Sequence, residues 1–357
     1  MGNVENMKPT FQLGKGERLR LLQFLKRRQL KDRVISLLEE TKVQHDLKRG
    51  QIATSKTATY EELTDSIATA IKQDWLAPLK LTQLLDDAEL AGRQHVCLFS
   101  LETKDIDTIS AMLRSPTTLN KDDVQLEEFW TIPFEPYSRI VKDDSAELVV
   151  KVITARQYWV ETELEAQEDL IRLERRRERE RAALIIKLDK SNLRLQFRVP
   201  IKERAANVDT AKSVYQFVAD LVESQFGDDG LTQLSKLKPL RIGDAFQKII
   251  ANRDDFLLHT DHPENKLFKS TMSRKGSPET GKDIRDLDEW VFEAGFARNC
   301  IRGIWSDESL GSIDVRMHYE SIKVAKSLSR VISRLFFAKP YPDEVVEHAI
   351  KRVSEHI

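Results

Sequence analysis

Apolar positions recur every three or four residues up to about Leu90 and in shorter, alternating runs after Gly92, so the chain changes character once. In the first part Leu19, Leu22 and Leu25, with Leu21 and Phe24, form one helical stripe. Val34, Ile35, Leu37 and Leu38 continue it in a second segment. A third helix opens on the capping pattern Thr59-Tyr60-Glu61-Glu62 and turns Leu63, Ile67 and Ile71 inward. Pro78 then breaks the chain before a fourth helix, Leu79 to Leu90.

Beyond Gly92 the pattern is that of strands. His95 to Phe99 is a short apolar run suited to a buried strand, and Phe129 to Val141, with two prolines, suits an edge strand or an irregular extended segment. Glu147 to Val160 is rich in β-branched and aromatic residues and reads as a central strand. Next come AALIIKL and LRLQFRVP, separated by DKSN. A hairpin over 182–200 closed around Lys190 and Ser191 puts Leu184, Ile186, Leu188, Leu193, Leu195, Phe197 and Val199 on one face. Ala183, Ile185, Lys187, Arg194, Gln196 and Arg198 fall on the other, which is basic wherever it is charged.

The stretch before this hairpin admits two readings. Glu161, Glu163, Glu165, Glu168 and Asp169 lead into an arginine-rich run, where helical spacing pairs Glu168 with Arg172 and Arg176 with Glu180. Extended spacing instead sorts Arg177, Arg179 and Arg181 from Glu178 and Glu180. Because such residues are poor strand formers, the expectation is a helix up to about Arg177.

Further on, Asn207-Val208-Asp209 opens a helix with Val214, Phe217, Val218, Leu221 and Val222 inward and Gly227 as its stop. A short helix covers Ile242 to Ala251, and extended segments follow at Phe256 to His259 and Leu267 to Met272. Ser273 to Lys282 is a turn-rich loop. Strands are expected at Phe296 to Trp305 and Ile313 to Tyr319, then helices at Ser321 to Phe337 and Asp343 to His356. In the first of these helices Ile322, Ala325, Leu328, Val331, Ile332 and Leu335 form the apolar side. Lys323, Lys326, Arg330 and Arg334 form a basic stripe without an intervening acid.

These elements define an α+β protein with a helical N-terminal domain, residues 1–91, and a mixed, mostly antiparallel sheet domain with flanking helices, residues 92–357. A length of 357 residues suits two cores. The 57 Lys and Arg residues nearly balance 58 Asp and Glu, so an electrostatic function has to come from local segregation. Between Lys8 and Arg33 the cations Lys8, Lys15, Arg18, Arg20, Lys26, Arg27, Arg28, Lys31 and Arg33 face only Glu17 and Asp32. Two cysteines in apolar stretches, Cys97 and Cys300, suit free thiols in a reducing, cytoplasmic compartment. The N-terminus has no apolar core for a signal peptide, and no long uncharged apolar stretch suggests a membrane partner.

Enzymatic motifs are few and incomplete. Gly276 to Lys282 has P-loop spacing, but Asp283 stands where magnesium needs a hydroxyl, and the preceding segment is too polar for the buried strand such a loop requires. His259, Asp261 and His262, with Glu264 behind, are metal ligands by type, but no distant Cys/His cluster in the sequence completes a set. Cys300 with a distant histidine fits a thiol nucleophile pair by type only, and His95 and His318 read as satisfied core histidines. Asp144, Glu147 and Lys151 have the residue types of a nuclease set. No catalytic residue, metal or cofactor is assigned.

Three local basic surfaces in a nearly neutral chain point to a non-enzymatic nucleic-acid-binding protein that contacts phosphates. Its expected binding residues are Arg18, Arg20, Lys26, Arg27 and Arg28 in the first helix, Lys187, Arg194 and Arg198 on the hairpin, and Lys323, Lys326, Arg330 and Arg334. The alternatives are an adaptor or assembly protein that binds a protein partner or its own copy through segregated charge, and a metal-dependent nuclease.

Overall fold

The computed structural model describes residues 12–48, 50–122, 124–167, 170–201, 210–252, 256–265, 270–271, 274–275, 298–323 and 329–357. The chain divides into two compact units, residues 1–90 with 122–132, and residues 91–121 with 133–357.

The first unit is helical: α1 (Lys15–Arg28), α2 (Lys31–Gln44), α3 (Tyr60–Lys72), α4 (Pro78–Leu90) and a 3-10 turn, Leu126–Phe129. The expected capping box starts α3, since Thr59 Oγ1 accepts from the Glu62 amide at 3.2 Å and the Glu62 carboxylate accepts from the Thr59 amide at 2.6 Å. Leu63, Ile67 and Ile71 are buried as expected. In α1 only Leu21 and Leu25 are buried, whereas Leu19 is 56% exposed, so the stripe is narrower than its spacing suggests. The 3-10 turn joins this core through Phe129, whose ring meets Phe24 edge-on at 5.8 Å.

The second unit, in chain order, contains β1 (Gly92–Ser100), α5 (Thr103–Arg114), β2 (Tyr137–Asp143), β3 (Glu147–Gln167), β4 (Leu170–Asp189), β5 (Arg194–Pro200) and α6 (Ala211–Lys236). There follow β6 (Lys238–Pro239), α7 (Ile242–Ala251), β7 (Phe256–Asn265), β8 (Ser270–Thr271), β9 (Arg274–Lys275), β10 (Arg298–Asp307), β11 (Gly311–Lys323), β12 (Ser329–Tyr341) and α8 (Asp343–Glu355). The strands run in the order β2-β3-β4-β5-β1-β12-β11-β10-β7-β8, with every ladder antiparallel.

Strand β1 sits mid-sheet and feeds two cores. Cys97 and Phe99 enter one with the apolar faces of β3, β4 and β5 and helices α5 and α6; Val96 and Leu98 enter the other with β10 to β12, α7 and α8. A strand buried on both faces shows a continuous apolar run, which is how His95 to Phe99 reads.

The same effect overturns one expected helix. Ser321 to Phe337 is the end of β11 and most of β12, with residues 324–328 outside the described set. Ile332 belongs to one core, and Leu335 and Phe337 to the other. Burial on both faces erased the period-two signal and left a spacing that imitated a helix.

The arginine-rich run is also not a helix. Register pairs β3 with β4 from Glu147↔Asp189 to Gln167↔Leu170. Among the described residues β2 pairs with β3 only as far as Ile153, and β5 with β4 only as far as Ile185. Beyond them the two strands continue as a two-stranded ribbon, about 45 Å long at roughly 3.4 Å per residue. Cross-strand pairing outweighs weak strand propensity here: Arg156 stands opposite Glu180, and Trp159 opposite Arg177.

The 182–200 hairpin is present, with its turn two residues longer than expected, both on the β5 side. Asp189↔Arg194 is its last pair, and Asp189 closes the loop by accepting from the Asn192 amide at 2.9 Å. Parity is unchanged by a two-residue shift, so Leu184, Ile186, Leu188, Leu195, Phe197 and Val199 are all core residues. Leu193 lies in the loop at φ 51° and packs at the core's edge.

Helix α6 starts one residue after its cap Thr210, later than the Asn207 opening, which falls outside the described residues. It is interrupted at Gly227, φ 65°, where the sequence suggests a stop. The Gly276 to Lys282 segment with P-loop spacing is outside the described residues, as is the turn-rich loop apart from Arg274 and Lys275. No helix among the described residues is long and apolar enough to cross a membrane.

Candidate nucleic-acid interface

The expected basic residues meet three different fates. In α1, Arg18, Arg20, Lys26 and Arg27 are exposed and Arg28 is half-buried, with its guanidinium 5.8 Å from the Phe24 ring centre. Arg18 and Lys26 reach Asp65 and Glu61 of α3 at 3.8 and 2.5 Å. The Lys26 hydrogen bond holds the Glu61 carboxyl below its usual range. Exposed pairs of this kind contribute little and are screened by salt, so they compete weakly with a phosphate. Arg20 and Arg27, seven positions apart, point within about 20° of each other.

The hairpin cations are not a surface at all. Lys187, Arg194 and Arg198 are 6%, 8% and 1% exposed, beneath α8. Val345, Val346, Ala349, Ile350 and Val353 bury the apolar side of α8. Asp343, Glu347 and Ser354 lie within about 40° on its adjoining side and face the hairpin. Arg198 bonds both Asp343 and Glu347, the latter at 2.5 Å. Lys187 contacts Glu147 and Glu347 at 3.0 Å and Asp343 at 3.4 Å. Arg194 binds Asp189 at 2.8 Å and the Ser354 hydroxyl at 3.2 Å, and Gln196 donates to Glu347 at 2.9 Å.

These three cations thus meet the four carboxylates of Glu147, Asp189, Asp343 and Glu347, and the expected basic surface is a neutralised interior. Burial pulls the Lys187 ammonium pKa down, but Glu347 and Asp343 outweigh it and leave it raised. Burial likewise pushes the Asp343 carboxyl up, yet Arg198 and Lys187 hold it below its usual range. Undocking α8 to free the cations would expose four large apolar side chains, at roughly 1.5–3 kcal/mol each. The helix is therefore a fixed part of the core.

The C-terminal basic stripe is dismantled by the change from helix to strand. Arg334 pairs across the sheet with His318 and is buried, with Nη1 3.2 Å from His95 Nδ1. Arg330 and Lys323 are strand residues, opposite Ile322 and Ser329 respectively, and Lys326 lies outside the described residues. Of the nuclease-type set, Glu147 is engaged by Lys142 and Lys187, and Lys151 is fully buried.

The ribbon carries the basic face that extended spacing offers and that the expectation of a helix set aside. Cross-strand partners share a face, so the pairs Ala155↔Arg181, Gln157↔Arg179 and Trp159↔Arg177 line one side, and Arg175 continues the β4 row. Arg175, Arg177, Arg179 and Gln157 are exposed, and Trp159 is 50% exposed. The Arg177 guanidinium lies 5.5 Å from the Trp159 ring centre, a cation–π contact that leaves its charge unneutralised. On the opposite side Arg156 is buried over Phe217 at 4.7 Å and donates to the Pro200 carbonyl at 2.7 Å, which anchors the ribbon's base to α6. The signal was available in the alternation Arg177-Glu178-Arg179-Glu180-Arg181; strand propensity outvoted it.

No family model matches the chain, and no curated protein does. Among solved structures it has a likeness to the di-domain ARO/CYC StfQ from the steffimycin biosynthetic pathway, at 10% identity over 73% of this chain and 93% of that one. The TM-score of 0.14 is too low for an argument about fold or function.

Proposed function

We propose that this chain is a non-enzymatic nucleic-acid-binding protein that grips phosphates through the arginine face of the β3–β4 ribbon, with the exposed face of α1 as a second basic element. The observation that carries the reading is the exposed set Gln157, Trp159, Arg175, Arg177 and Arg179 on one side of a ribbon only two strands wide. Alternate residues on a strand stand about 6.8 Å apart, which gives a regular row of donors. A two-stranded ribbon fits the duplex major groove, about 12 Å wide. Arginine is suited to phosphate because its planar fork donates two parallel hydrogen bonds. Trp159 adds a stacking surface for unpaired bases.

The test is an anisotropy titration on duplex and single strands across a salt series, with an Arg177→Glu/Arg179→Glu variant alongside. On duplex, losing two phosphate contacts should lower the slope of log affinity against log salt by about 1.8. Absence of binding to either form at micromolar protein and low salt sinks the proposal.

A second reading, as an assembly or adaptor protein, rests on a separate feature. Among the described residues the ribbon's two outer edges have no neighbouring strand, and open edges accept a strand from another chain. Light scattering and pull-down mass spectrometry distinguish it: a monomer with no protein partner argues against this reading.

A further inference from the structure

The ribbon's exposed face is built of two unlike rows. Along β4 stand Arg177 and Arg179, both exposed and about 6.8 Å apart, with Arg175 continuing the row. Opposite them on β3 stand Trp159 and Gln157, exposed and uncharged, about 4.8 Å away between backbones. Half of Trp159 is open to solvent although the Arg177 guanidinium lies over its ring at 5.5 Å. The reverse face is occupied differently: Arg176 is paired with Glu178 at 2.6 Å, and Arg156 and Tyr158 are buried.

We propose that this face takes single-stranded nucleic acid in preference to duplex, with phosphates along the β4 row and one base stacked on Trp159, a choice that rests on the nucleic-acid reading above. A single nucleic-acid chain is asymmetric, with its backbone on one side and its bases on the other, and the two rows share that asymmetry. Planar, charged donors line one side. The other side has an indole for the π face of a base and an amide that both donates to and accepts from a base edge. Duplex presents a different pattern. In its major groove the ribbon would lie between two phosphate backbones, so cations would be needed along both rows. There Gln157 and Trp159 would meet one backbone without a charge, and the indole would be set against polar base edges instead of a base's face.

The full chain is titrated into a labelled oligonucleotide, alone and annealed to its complement, over the same salt series, with deoxyribose and ribose versions in parallel. The single-stranded form should bind more tightly by roughly 5- to 150-fold, the worth of one base stacked on an aromatic ring. It should also quench tryptophan emission. Trp159→Phe should keep much of the preference, since a phenyl ring also stacks, but lose quenching. Gln157→Arg, an exposed change that adds a cation to the β3 row, should raise duplex affinity more than single-strand affinity and so narrow the gap. Deoxyribose and ribose forms should bind alike, because phosphate and base carry the contacts. Duplex bound as tightly as single strands, quenching undiminished in Trp159→Phe, a gap unchanged by Gln157→Arg, or a strict requirement for ribose overturns the proposal and leaves nucleic-acid binding in place. Binding to neither form removes both.

Discussion

Arg198 Nη2 lies 2.5 Å from Glu347 Oε1, joining β5 to α8 across 149 positions of sequence. The contact is the centre of a buried network in which the acids of one helix answer the cations of one hairpin. Lys187, Arg194, Arg198 and Gln196 all reach Glu347. Removing a carboxylate from such a site strands buried cations, which costs far more than the pair itself contributes.

Glu347→Ala is expected to lose about 3–5 kcal/mol of stability by urea unfolding. Glu344→Ala, on the exposed side of the same helix, should change it by no more than about 0.5 kcal/mol. Equal midpoints for the two variants would contradict the network's structural weight.

Acid should weaken the same network. Burial raises the carboxyl pKa values of Asp343, Asp189 and Glu147, but their cationic and hydrogen-bonding partners hold all three below the usual range. A depressed folded pKa contributes stability that is present above the unfolded value, near 3.9 for Asp and 4.3 for Glu, and lost as pH falls through the folded value. The raised Lys187 pKa acts in the opposite sense, and its contribution is lost as pH rises beyond about 10.4. Circular dichroism against pH should show an acid limb starting below about pH 4 that is shallower in Asp343→Asn.

Charge reversal on the hairpin should act on folding and not on binding. Arg194→Glu with Arg198→Glu places like charges beneath α8, so its unfolding midpoint should drop sharply. Where the variant remains folded, the salt slope for nucleic acid should equal that of the parent chain. A folded, fully stable variant with a reduced slope would restore the hairpin as an interface.

Trp159→Ala should separate the two kinds of nucleic acid. Loss of one stacking platform costs about 1–3 kcal/mol on single strands. Duplex bases are already stacked, so affinity for duplex should be nearly unchanged. Equal losses on both forms would show that Trp159 acts by holding Arg177 and not by stacking.

In the helical unit, Thr59→Ala removes the side-chain acceptor for the Glu62 amide. Thermal or urea unfolding should register a loss of about 0.5–2 kcal/mol. No loss at all would mean that the cap is replaced by solvent.

Local chemistry along the chain determined a good deal. The helices up to Leu90, the capping box at Thr59 and the α+β class follow from periodicity and turn residues, which act over a few positions. So does the parity of the 182–200 hairpin, because alternation survives a two-residue change of register. What the strands meet was decided only by the tertiary structure. Lys187 and Arg198 looked like surface because nothing nearby in sequence covers them; Asp343 and Glu347, about 150 positions on, do. The arginine run became a strand because β3 offered a partner, and β12 looked helical because both of its faces are buried. Cys300 and His318 meet through register alone, and register depends on the whole sheet assembling.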